Sequence, residues 1–524
     1  MIINGENRAL FPAHWNFGNF ILHRFKQANP LDVCLENYNT GETLTYKDFT
    51  DYAVSLSVAL SKLGVTRGDI VAVGSEKRIM FLPTTLAVVL TGASYTPYDL
   101  RSGTAVLQYK LNLAKPNYFI CSNSFWKTYS DVLKSCDFIK TFICFEEIDD
   151  IELSIKKLIL KHREESFEPA VVHGQTDVAL ILYSSGTTSS MPKGVLITHY
   201  NCVLGCLPEK FPDESLKTAV LFGEWYHRYE TFSTYKFLWA SIGRKVVFAN
   251  NLTNQDTILK VIQHCKVNVA IVVPSVVSYL ATAKEIDTYN TSTLRLIFSC
   301  GCTLHPSLPG TVKRRIPTVK NVLQIYGMTE VGDVTSEDWG TKGPKTGSIG
   351  MACPNVSIKI VDPKTREILG PNQRGEICIR GPTLMKGYIG MDSSTYLDQD
   401  GFFLSGDLGY YDEDTYFYFV DRLKDVISFD GYQVDPTELE FIILSNPEVR
   451  EAAVVGKPAG AYGEQPAAIV VLQPGSTLTQ QQLQNYVARE VPPYMQLNGG
   501  VKFVSELPKN TMGKTIRRQL REML

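Results

Sequence analysis

The sequence predicts an α/β protein in which a large N-terminal domain with parallel, helix-covered sheets precedes a small α+β C-terminal domain. Two observations support this prediction. Short apolar runs alternate with amphipathic helical stretches through the first three hundred residues, which is typical of parallel strands joined by helices. Near Gly347 the pattern changes to short strands separated by turns, which indicates an antiparallel, barrel-like portion appended to the parallel core.

The N-terminal elements follow from apolar spacing. Apolar residues recur on one helical face over Lys47–Leu63, and Gly64 ends that helix. Ile70–Val73 is expected to be a buried strand, and Met80–Thr91 the next helix. The same apolar runs predict four further strands, at Val178–Leu182, Lys245–Phe248, Val267–Val273 and Leu294–Phe298.

The C-terminal third is expected to have two parts. The barrel-like portion has predicted strands at Ser357–Val361, Gly375–Arg380, Phe402–Leu404 and Tyr416–Val420. The small domain has predicted helices at Pro436–Leu444 and Gln480–Arg489, and strands at Ala452–Val455, Ala467–Leu472 and Val501–Val504. We expect domains over residues 1–421 and 426–524, joined by a polar, charged segment at residues 422–425.

Composition excludes several classes of protein. Among 524 residues, 52 Lys and Arg balance 54 Asp and Glu, so the net charge of -2 gives no global case for nucleic acid as a partner. The 11 cysteines lack zinc spacing and are expected to be thiols. The most apolar segment, Val267–Ala281, is interrupted by polar residues, so no membrane span is expected. We expect a cytoplasmic protein; a peroxisome is the alternative, without a C-terminal Ser-Lys-Leu signal.

The first segment with chemical potential is Tyr183–Gly194, which follows a predicted strand. Backbone N–H groups and hydroxyls in such a loop can surround phosphate oxygens, and a lysine adds positive charge. The alternative is a Ser/Thr-rich linker, but the position after a buried strand favours the phosphate loop. The candidate residues are Ser184, Ser185, Gly186, Thr187, Thr188, Ser189, Ser190 and Lys193.

The second segment, Gln324–Glu330, is expected to begin as a strand and to continue into a glycine-containing turn. Tyr326 offers a flat face for a purine. Thr329 and Glu330 offer oxygen ligands of the kind that Mg²⁺ prefers. Taken alone, this segment is a weak signal and favours an ordinary turn.

Two later segments add charged groups. Asp407 follows a glycine and can accept hydrogen bonds from a ribose diol, while Arg422 can support that contact or reach a phosphate. Lys514 lies between a glycine and a basic helix near the C-terminus. In isolation, the first pattern is also that of a β-turn and the second that of an exposed lysine.

In this order and spacing, the four segments resemble the adenylate-forming superfamily, which includes acyl-CoA synthetases, 4-coumarate–CoA ligases and insect luciferases. The resemblance extends from Leu44 to Lys514. It is closest to the luciferase and 4-coumarate ligase branch, through Leu369–Pro382, Asp421–Lys424 and Gly431–Val434. It implies ATP-dependent activation of a carboxylic acid through an acyl-adenylate, transfer to CoA, a requirement for Mg²⁺, and a mobile C-terminal domain.

The resemblance also implies roles for individual residues. The phosphate loop and Lys193 would hold the β- and γ-phosphates, Thr329 the α-phosphate and Glu330 the Mg²⁺ ion. Lys514 would neutralise charge at the reacting phosphorus, and His227 would lie at the carboxylate. The remaining nucleotide and cofactor contacts would come from Gly301, Gln324 and Tyr326 at adenine, Asp407 and Arg422 at ribose, and Gln433.

Three departures from the family pattern leave alternatives open. The phosphate loop has Ser189-Ser190-Met191, one residue longer and without the usual glycine, and Ser428 stands where this branch has a lysine. The segment after His227 is unusually polar, with Arg228 and Glu230. Formation of the adenylate is therefore better supported than transfer of the acyl group to CoA. The alternatives to an acid–CoA ligase are a luciferase-like monooxygenase and a binding protein with little activity.

Overall fold

The computed structural model describes residues 1–8, 10–162, 166–184, 191–207, 214–240, 243–249, 256–337, 342–429, 432–460, 463–509 and 515–524, without the side chains of Trp239 and Gln433. The chain divides into two compact units. The N-terminal unit comprises Asn4–Ser357 and Ile379–Phe403. The C-terminal unit comprises Met1–Ile3, Ile358–Cys378 and Leu404–Leu524.

Helices and strands alternate through most of the N-terminal unit, as the apolar spacing predicts. The α-helices are α1 Phe17–Phe25, α2 Tyr46–Lys62, α3 Phe81–Leu90, α4 Thr104–Ala114, α5 Asn123–Lys134, α6 Ile155–Lys161, α7 His199–Gly205, α8 Arg228–Trp239, α9 Asp256–His264, α10 Pro274–Thr282, α11 Leu308–Arg315, α12 Pro436–Leu444, α13 Gln480–Glu490 and α14 Arg517–Glu522. None of the described helices is long and apolar enough to cross a membrane.

The strands are more numerous than the sequence predicts, and they include both additional interior strands such as Ser94–Tyr98 and Tyr118–Cys121 and short edge strands such as Gly387–Tyr388. They are β1 Ile3–Asn4, β2 Val33–Asn37, β3 Thr43–Thr45, β4 Ile70–Gly74, β5 Ser94–Tyr98, β6 Tyr118–Cys121, β7 Thr141–Cys144, β8 Val178–Ser184, β9 Lys193–Thr198, β10 Thr218–Leu221, β11 Lys245–Phe248, β12 Val269–Val272, β13 Leu296–Cys300, β14 Asn321–Met328, β15 Gly332–Ser336, β16 Met351–Ala352, β17 Ser357–Val361, β18 Gly375–Arg380, β19 Gly387–Tyr388, β20 Phe403–Tyr411, β21 Phe417–Arg422, β22 Ile427–Phe429, β23 Tyr432–Val434, β24 Val449–Pro458, β25 Glu464–Leu472 and β26 Gly500–Phe503.

Two large sheets form the N-terminal unit. One has the strand order β16-β15-β14-β13-β12-β10-β11-β2-β3, and the other the order β19-β9-β8-β5-β4-β6-β7. Neighbouring strands from β14 to β2 in the first sheet, and from β8 to β7 in the second, run parallel. The predicted parallel core is therefore confirmed. The edges are antiparallel, because consecutive strands such as β14 and β15 need only a short connection.

Helices α9, α10 and α11 pack on the nine-stranded sheet through fully buried aliphatic residues. Leu259, Val277 and Val312 come from the three helices, and Val247 and Ile297 come from strands β11 and β13. Full burial of such a side chain contributes roughly 1.5–3 kcal/mol. This apolar layer fixes the sheet whose strand ends carry most of the candidate site.

The C-terminal unit has the two predicted parts. Most of the sheet β1-β17-β18-β20-β21 belongs to it, and β20 and β21 pair antiparallel. The sheet β24-β25-β26 packs with α12 and α13 through residues such as Leu439, Val470 and Leu483. An antiparallel portion and a small α+β domain are thus confirmed. The exact domain limits at residues 421 and 426 remain a prediction.

Several strands are longer than predicted, and for two of them, β20 and β14, the difference has a clear physical reason. Strand β20 continues from Phe403 to Tyr411 because the polar residues Ser405 and Asp407 occupy its buried positions. A polar residue at an inward position breaks the apolar alternation that marks a strand. Strand β14 continues to Met328 through a bulge between Tyr326 and Gly327, where the sequence indicates a turn.

A buried histidine links α1 to α7. The backbone N–H of Phe17, at the start of α1, donates to Nδ1 of His199 at 3.2 Å. His199 is fully buried, and its Nε2 has no hydrogen-bond partner among the described residues. Burial lowers the pKa of His199 to about 4, because the charged ring would lose its hydration. The ring is therefore neutral in the folded protein at neutral pH.

Substituting His199→Asn is expected to flatten the acid dependence of stability. The unfolded chain binds a proton at His199 below pH 6.5 and the folded chain only near pH 4, so wild-type stability falls as the pH drops through this window. Asn keeps an acceptor for the Phe17 N–H but does not titrate. Urea unfolding across this window should show a smaller loss for the variant, by about 3 kcal/mol.

Substituting His14→Asn is the control, since His14 is exposed. If the stability of His199→Asn fell as steeply with pH as that of the wild type, the assignment of a neutral buried ring would be contradicted.

Candidate active site

The candidate residues of the N-terminal unit lie where strands end. Ser184 is the last residue of β8, Gly301 follows β13, and His227 lies after β10 at the start of α8. The carboxyl ends of parallel strands are the usual location of ligand sites in α/β sheets. The structure therefore places residues from distant parts of the sequence at sheet edges suited to binding.

Ser184 and Lys193 flank the predicted phosphate loop. They are directly opposite each other in the β8–β9 hairpin, and both are half-buried. The residues between them that carry most of the hydroxyls, 185–190, lie outside the described residues. The hairpin thus brings the first hydroxyl and the lysine of the loop together.

The predicted adenine residues lie on neighbouring strands. Gln324 of β14 is the register partner of Ser299, two residues before Gly301. The Gln324 side-chain oxygen accepts a hydrogen bond from the backbone N–H of Leu304 at 3.0 Å, so it orders the loop after β13. Gly301 has φ +91°, a left-handed conformation that favours glycine. Gly301 and Gln324 are therefore brought close through this loop, while Tyr326 is half-buried two residues further along β14.

A buried glutamate contacts the backbone of Gln324, one of the predicted adenine residues. Oε2 of Glu337 accepts a hydrogen bond from the backbone N–H of Gln324 at 2.7 Å, and Glu337 is buried. Burial raises the pKa of Glu337 to about 7, because the charged form loses hydration. No sequence pattern marks this residue, since it is an isolated glutamate.

The turn at Thr329–Glu330 is held from two other segments. Nη1 of Arg228 donates to the Thr329 carbonyl at 2.8 Å, and the backbone N–H of Met385 donates to the Glu330 carbonyl at 2.7 Å. The hydroxyl of Tyr388 donates to Oε1 of Glu330 at 2.7 Å. Glu330 is buried, so these contacts fix both its backbone and its carboxylate.

Arg228 fills the space between α8 and the β14–β15 hairpin. Its side chain is buried, and Nη2 donates to the Thr383 carbonyl at 3.1 Å. A Cβ added at Gly332, which has φ +86°, would lie 3.1 Å from Nη2. Burial lowers the pKa of Arg228, although the guanidinium stays protonated in a protein. The polar segment after His227 thus places a cation beside the Thr329–Glu330 turn.

A buried lysine joins the ends of the two large sheets. Nζ of Lys77, which follows β4, donates to the carbonyls of Leu221 and Gly223 at 3.3 and 2.5 Å. It also lies 5.1 Å from the ring centre of Trp225. Burial lowers the pKa of Lys77 to about 8. The loop that leads to His227 is therefore anchored by a charged group that sequence analysis missed.

Asp407 and Arg422 form an ion pair in the C-terminal unit. Nε of Arg422 is 2.7 Å from Oδ1 of Asp407, and the two residues are register partners in strands β20 and β21. The predicted ribose pair is therefore brought together. Gln433 is the register partner of Ser428, which is exposed. Lys514 lies outside the described residues.

The donors available for Mg²⁺ match the way proteins usually bind this ion. Within the described ranges, no group of three or more His, Cys, Asp or Glu residues could hold a metal. The Glu330 carboxylate and the Thr329 hydroxyl are hard oxygen donors next to each other. Since Mg²⁺ is commonly held by one or two carboxylates together with substrate phosphates and water, this small donor set fits it.

The contact between Tyr388 and Glu330 could not be predicted from the sequence. Tyr388 lies 58 residues from Glu330, so no local spacing connects the two. Its place depends on the pairing of β19 with β9, in which Tyr388 is opposite Val195. A two-residue strand without apolar alternation offers no signal that predicts this pairing.

Comparison with known proteins identifies the family. The model of the AMP-binding enzyme family matches residues 22–389, and that of the AMP-binding enzyme C-terminal domain matches residues 438–514. The chain is 32% identical over 515 residues to luciferin 4-monooxygenase of Photinus pyralis, covering 94% of this chain and 92% of that protein. It is 32% identical over 512 residues to 4-coumarate–CoA ligase CCL1 of Humulus lupulus, covering 94% and 91%.

A solved structure agrees with these sequence matches. ATP-bound MatB from Rhodopseudomonas palustris has a TM-score of 0.84 and 27% identity, with coverage of 97% of this chain and 99% of that one. The chain therefore belongs to the AMP-binding enzyme family of adenylate-forming proteins, and the resemblance drawn from its four segments is confirmed.

Substituting Glu337→Gln is expected to stabilise the protein above neutral pH. Folding raises the pKa of this carboxyl from 4.5 to about 7, so the folded chain holds a proton that the unfolded chain has lost between these values. Wild-type stability therefore falls as the pH rises through this window, and a neutral Gln removes that loss. Urea unfolding should show the variant gaining about 3 kcal/mol relative to wild type between pH 4.5 and pH 7.5.

His199→Asn is expected to gain stability relative to the wild type as the pH falls, and Glu337→Gln as the pH rises. The two variants therefore serve as controls for each other. A Glu337→Gln variant whose stability follows that of the wild type at every pH would show that the carboxyl titrates normally.

Proposed function

We propose that this protein activates a carboxylic acid with ATP to form an acyl-adenylate, and then transfers the acyl group to CoA. One observation carries the proposal. In a chain of the AMP-binding enzyme family, the buried Glu330 carboxylate is held by Tyr388, whose ring lies 4.9 Å from Nζ of Lys193. A carboxylate suited to Mg²⁺ and a lysine suited to phosphate thus share one neighbour.

Two displacements make up the reaction. An oxygen of the substrate carboxylate attacks the α-phosphorus of ATP, and the bond from that phosphorus to the pyrophosphate oxygen breaks. The thiol of CoA then attacks the acyl carbon, so AMP leaves with the former carboxylate oxygen and the thiol loses its proton. Both steps depend mainly on positioning and on stabilisation of developing negative charge.

The phosphates are assigned to the N-terminal unit. Ser184, Lys193 and the hydroxyls between them would hold the β- and γ-phosphates, and the Thr329 hydroxyl the α-phosphate. Glu330 and Thr329 would hold Mg²⁺, which supplies positive charge to phosphate oxygens when bound. The contact from Arg228 to the Thr329 carbonyl supports this role, because it fixes the backbone of the turn.

The remaining nucleotide contacts rest on the resemblance and on local geometry. Gly301, Gln324 and Tyr326 would take adenine, and the Asp407–Arg422 pair would take ribose. Lys514 would neutralise charge at the reacting phosphorus. We further propose that residues 426–524 form the family's C-terminal domain and that residues 422–425 are its hinge.

The acid is expected to be short or polar rather than a long apolar chain. His227 would lie at its carboxylate, and the next residue, Arg228, is buried against Gly332. Lys236 pairs with Asp333 on the same side of α8. Charged groups that are already paired, and buried in the case of Arg228 or half-buried in the case of Lys236 and Asp333, leave little apolar surface for an aliphatic tail.

CoA is the proposed acceptor because 4-coumarate–CoA ligases are among the relatives of this chain. Ser428 stands in strand β22 where that branch carries a lysine, and a hydroxyl cannot replace the charge. The transfer step is therefore expected to be slower than adenylation. We also propose that the protein is located in the cytoplasm.

Oxidation of the adenylate by O₂ is the second candidate function, favoured by the 32% identity to luciferin 4-monooxygenase. Oxygen uptake and light emission with candidate luciferins separate this reaction from CoA transfer.

Incubation with Mg-ATP, CoA and a pooled panel of carboxylic acids is expected to yield an acyl-adenylate and an acyl-CoA. Mass spectrometry detects both products and names the acid. Adenylate without thioester would overturn the CoA step but keep the activation step. Neither product from folded protein would overturn the proposed function and favour a binding protein with little activity.

Substituting Glu330→Gln is the internal test of the site, because Gln can still accept from the Tyr388 hydroxyl but carries no charge. The adenylate yield should fall on the order of 100-fold. Glu36→Gln is the matched control, since Glu36 lies in β2 of the same sheet and pairs with Lys245. It should activate the acid at the wild-type rate.

A further inference from the structure

Tyr388 lies where three candidate groups of the N-terminal unit meet. Its hydroxyl donates to Oε1 of Glu330 at 2.7 Å. The face of its ring receives the Lys193 ammonium, with Nζ 4.9 Å from the ring centre. The hydroxyl also has a hydrogen bond with the Ser184 side chain. One side chain therefore contacts the predicted metal ligand and both flanks of the predicted phosphate loop.

The position of Tyr388 is itself strongly determined. Its backbone pairs with Val195 in the β19–β9 ladder, and its ring packs edge-on against Tyr396 with centres 4.9 Å apart. The side chain is 7% exposed, and its phenolic O–H is a neutral hydrogen-bond donor. A rigid, neutral donor of this kind fixes the orientation of a carboxylate without competing for a cation.

We propose that Tyr388 is a positioning residue that orients the Glu330 carboxylate for Mg²⁺ and holds Lys193 beside it. The inference rests on the proposed function, because it assigns Tyr388 to the metal–phosphate site of that reaction. The hydroxyl and the ring have separate tasks. The hydroxyl acts mainly on Glu330 and hence on the metal-dependent part of ATP binding, with a smaller contribution through Ser184. The ring acts on Lys193 and hence on the phosphates.

The physical reason is the geometry of the buried carboxylate. With Oε1 engaged by the hydroxyl, the plane of the Glu330 carboxylate is fixed and Oε2 has a defined direction. Residues that hold a metal ligand in this way are typically worth 10–100-fold in metal affinity. An alternative is that the hydroxyl only satisfies a buried oxygen, in which case its loss would lower stability without a specific effect on the metal.

The test measures ATP binding by titration calorimetry, with Mg²⁺ and with a chelator, in the absence of any acid. Tyr388→Phe removes the hydroxyl and keeps the ring. It should weaken binding of ATP in the presence of Mg²⁺ by roughly 10-fold, and weaken binding of metal-free ATP much less. Tyr388→Leu also removes the ring, so it should weaken binding under both conditions.

Tyr396→Phe is the matched control, because Tyr396 packs against Tyr388 but belongs to none of the proposed contacts with Glu330 or Lys193. It should bind ATP like the wild type under both conditions. Equal losses with and without Mg²⁺ in Tyr388→Phe, or no loss at all, would overturn the inference while leaving the proposed function intact. A wild-type protein that binds no ATP would overturn both.

Discussion

A buried turn with charged and polar groups has to be satisfied by hydrogen bonds, and the turn at Thr329–Glu330 imposes this constraint on the N-terminal unit. A buried acceptor left without a partner costs about 1–3 kcal/mol, and more when it is charged. The donors come from Arg228, 101 residues away, and from Met385 and Tyr388 near the end of the unit. Helix α8 and the edge strand β19 are thereby tied to the end of β14.

Two cations near His227 are likewise buried against backbone carbonyls. Arg228 fills the space that Gly332 leaves open, and Lys77 closes the gap between two strand ends with its ammonium on backbone carbonyls. Each cation has hydrogen-bond acceptors at hand, which reduces the cost of its desolvation. The result is a preorganised polar environment on the side of the site assigned to the acid, and this supports a short or polar substrate.

The repeating parts of the fold are predictable from sequence because apolar spacing reports burial directly. Strand Lys245–Phe248 and helix Pro436–Leu444 have the predicted limits to the residue. Strand β20 was underestimated because Asp407 occupies an inward position, and functional sites are where polar residues replace apolar ones. The short edge strands could not be predicted, since a strand such as β19 depends on the pairing available to it rather than on its own two residues.

The candidate site likewise contains some residues that the sequence indicates and others that it does not. Candidate residues at or near the expected ends of buried strands, such as Ser184, Gln324 and Glu330, could be proposed from sequence because parallel strands gather their carboxyl ends at one edge. Tyr388 and Glu337 were missed because each acts through a contact between segments that are distant in sequence. The functional roles of all these residues remain predictions, including those of the phosphate-loop hydroxyls at 185–190 and of Lys514.

Transfer of a heavy-oxygen label tests the central claim most directly, since the claim is that a carboxylate oxygen attacks the α-phosphorus of ATP. The acid found in the pooled panel is labelled in both carboxyl oxygens and incubated with Mg-ATP and CoA, and the AMP formed is analysed by mass spectrometry. One labelled oxygen is expected in each AMP and none in pyrophosphate. Label in inorganic phosphate, or AMP without label, would contradict it.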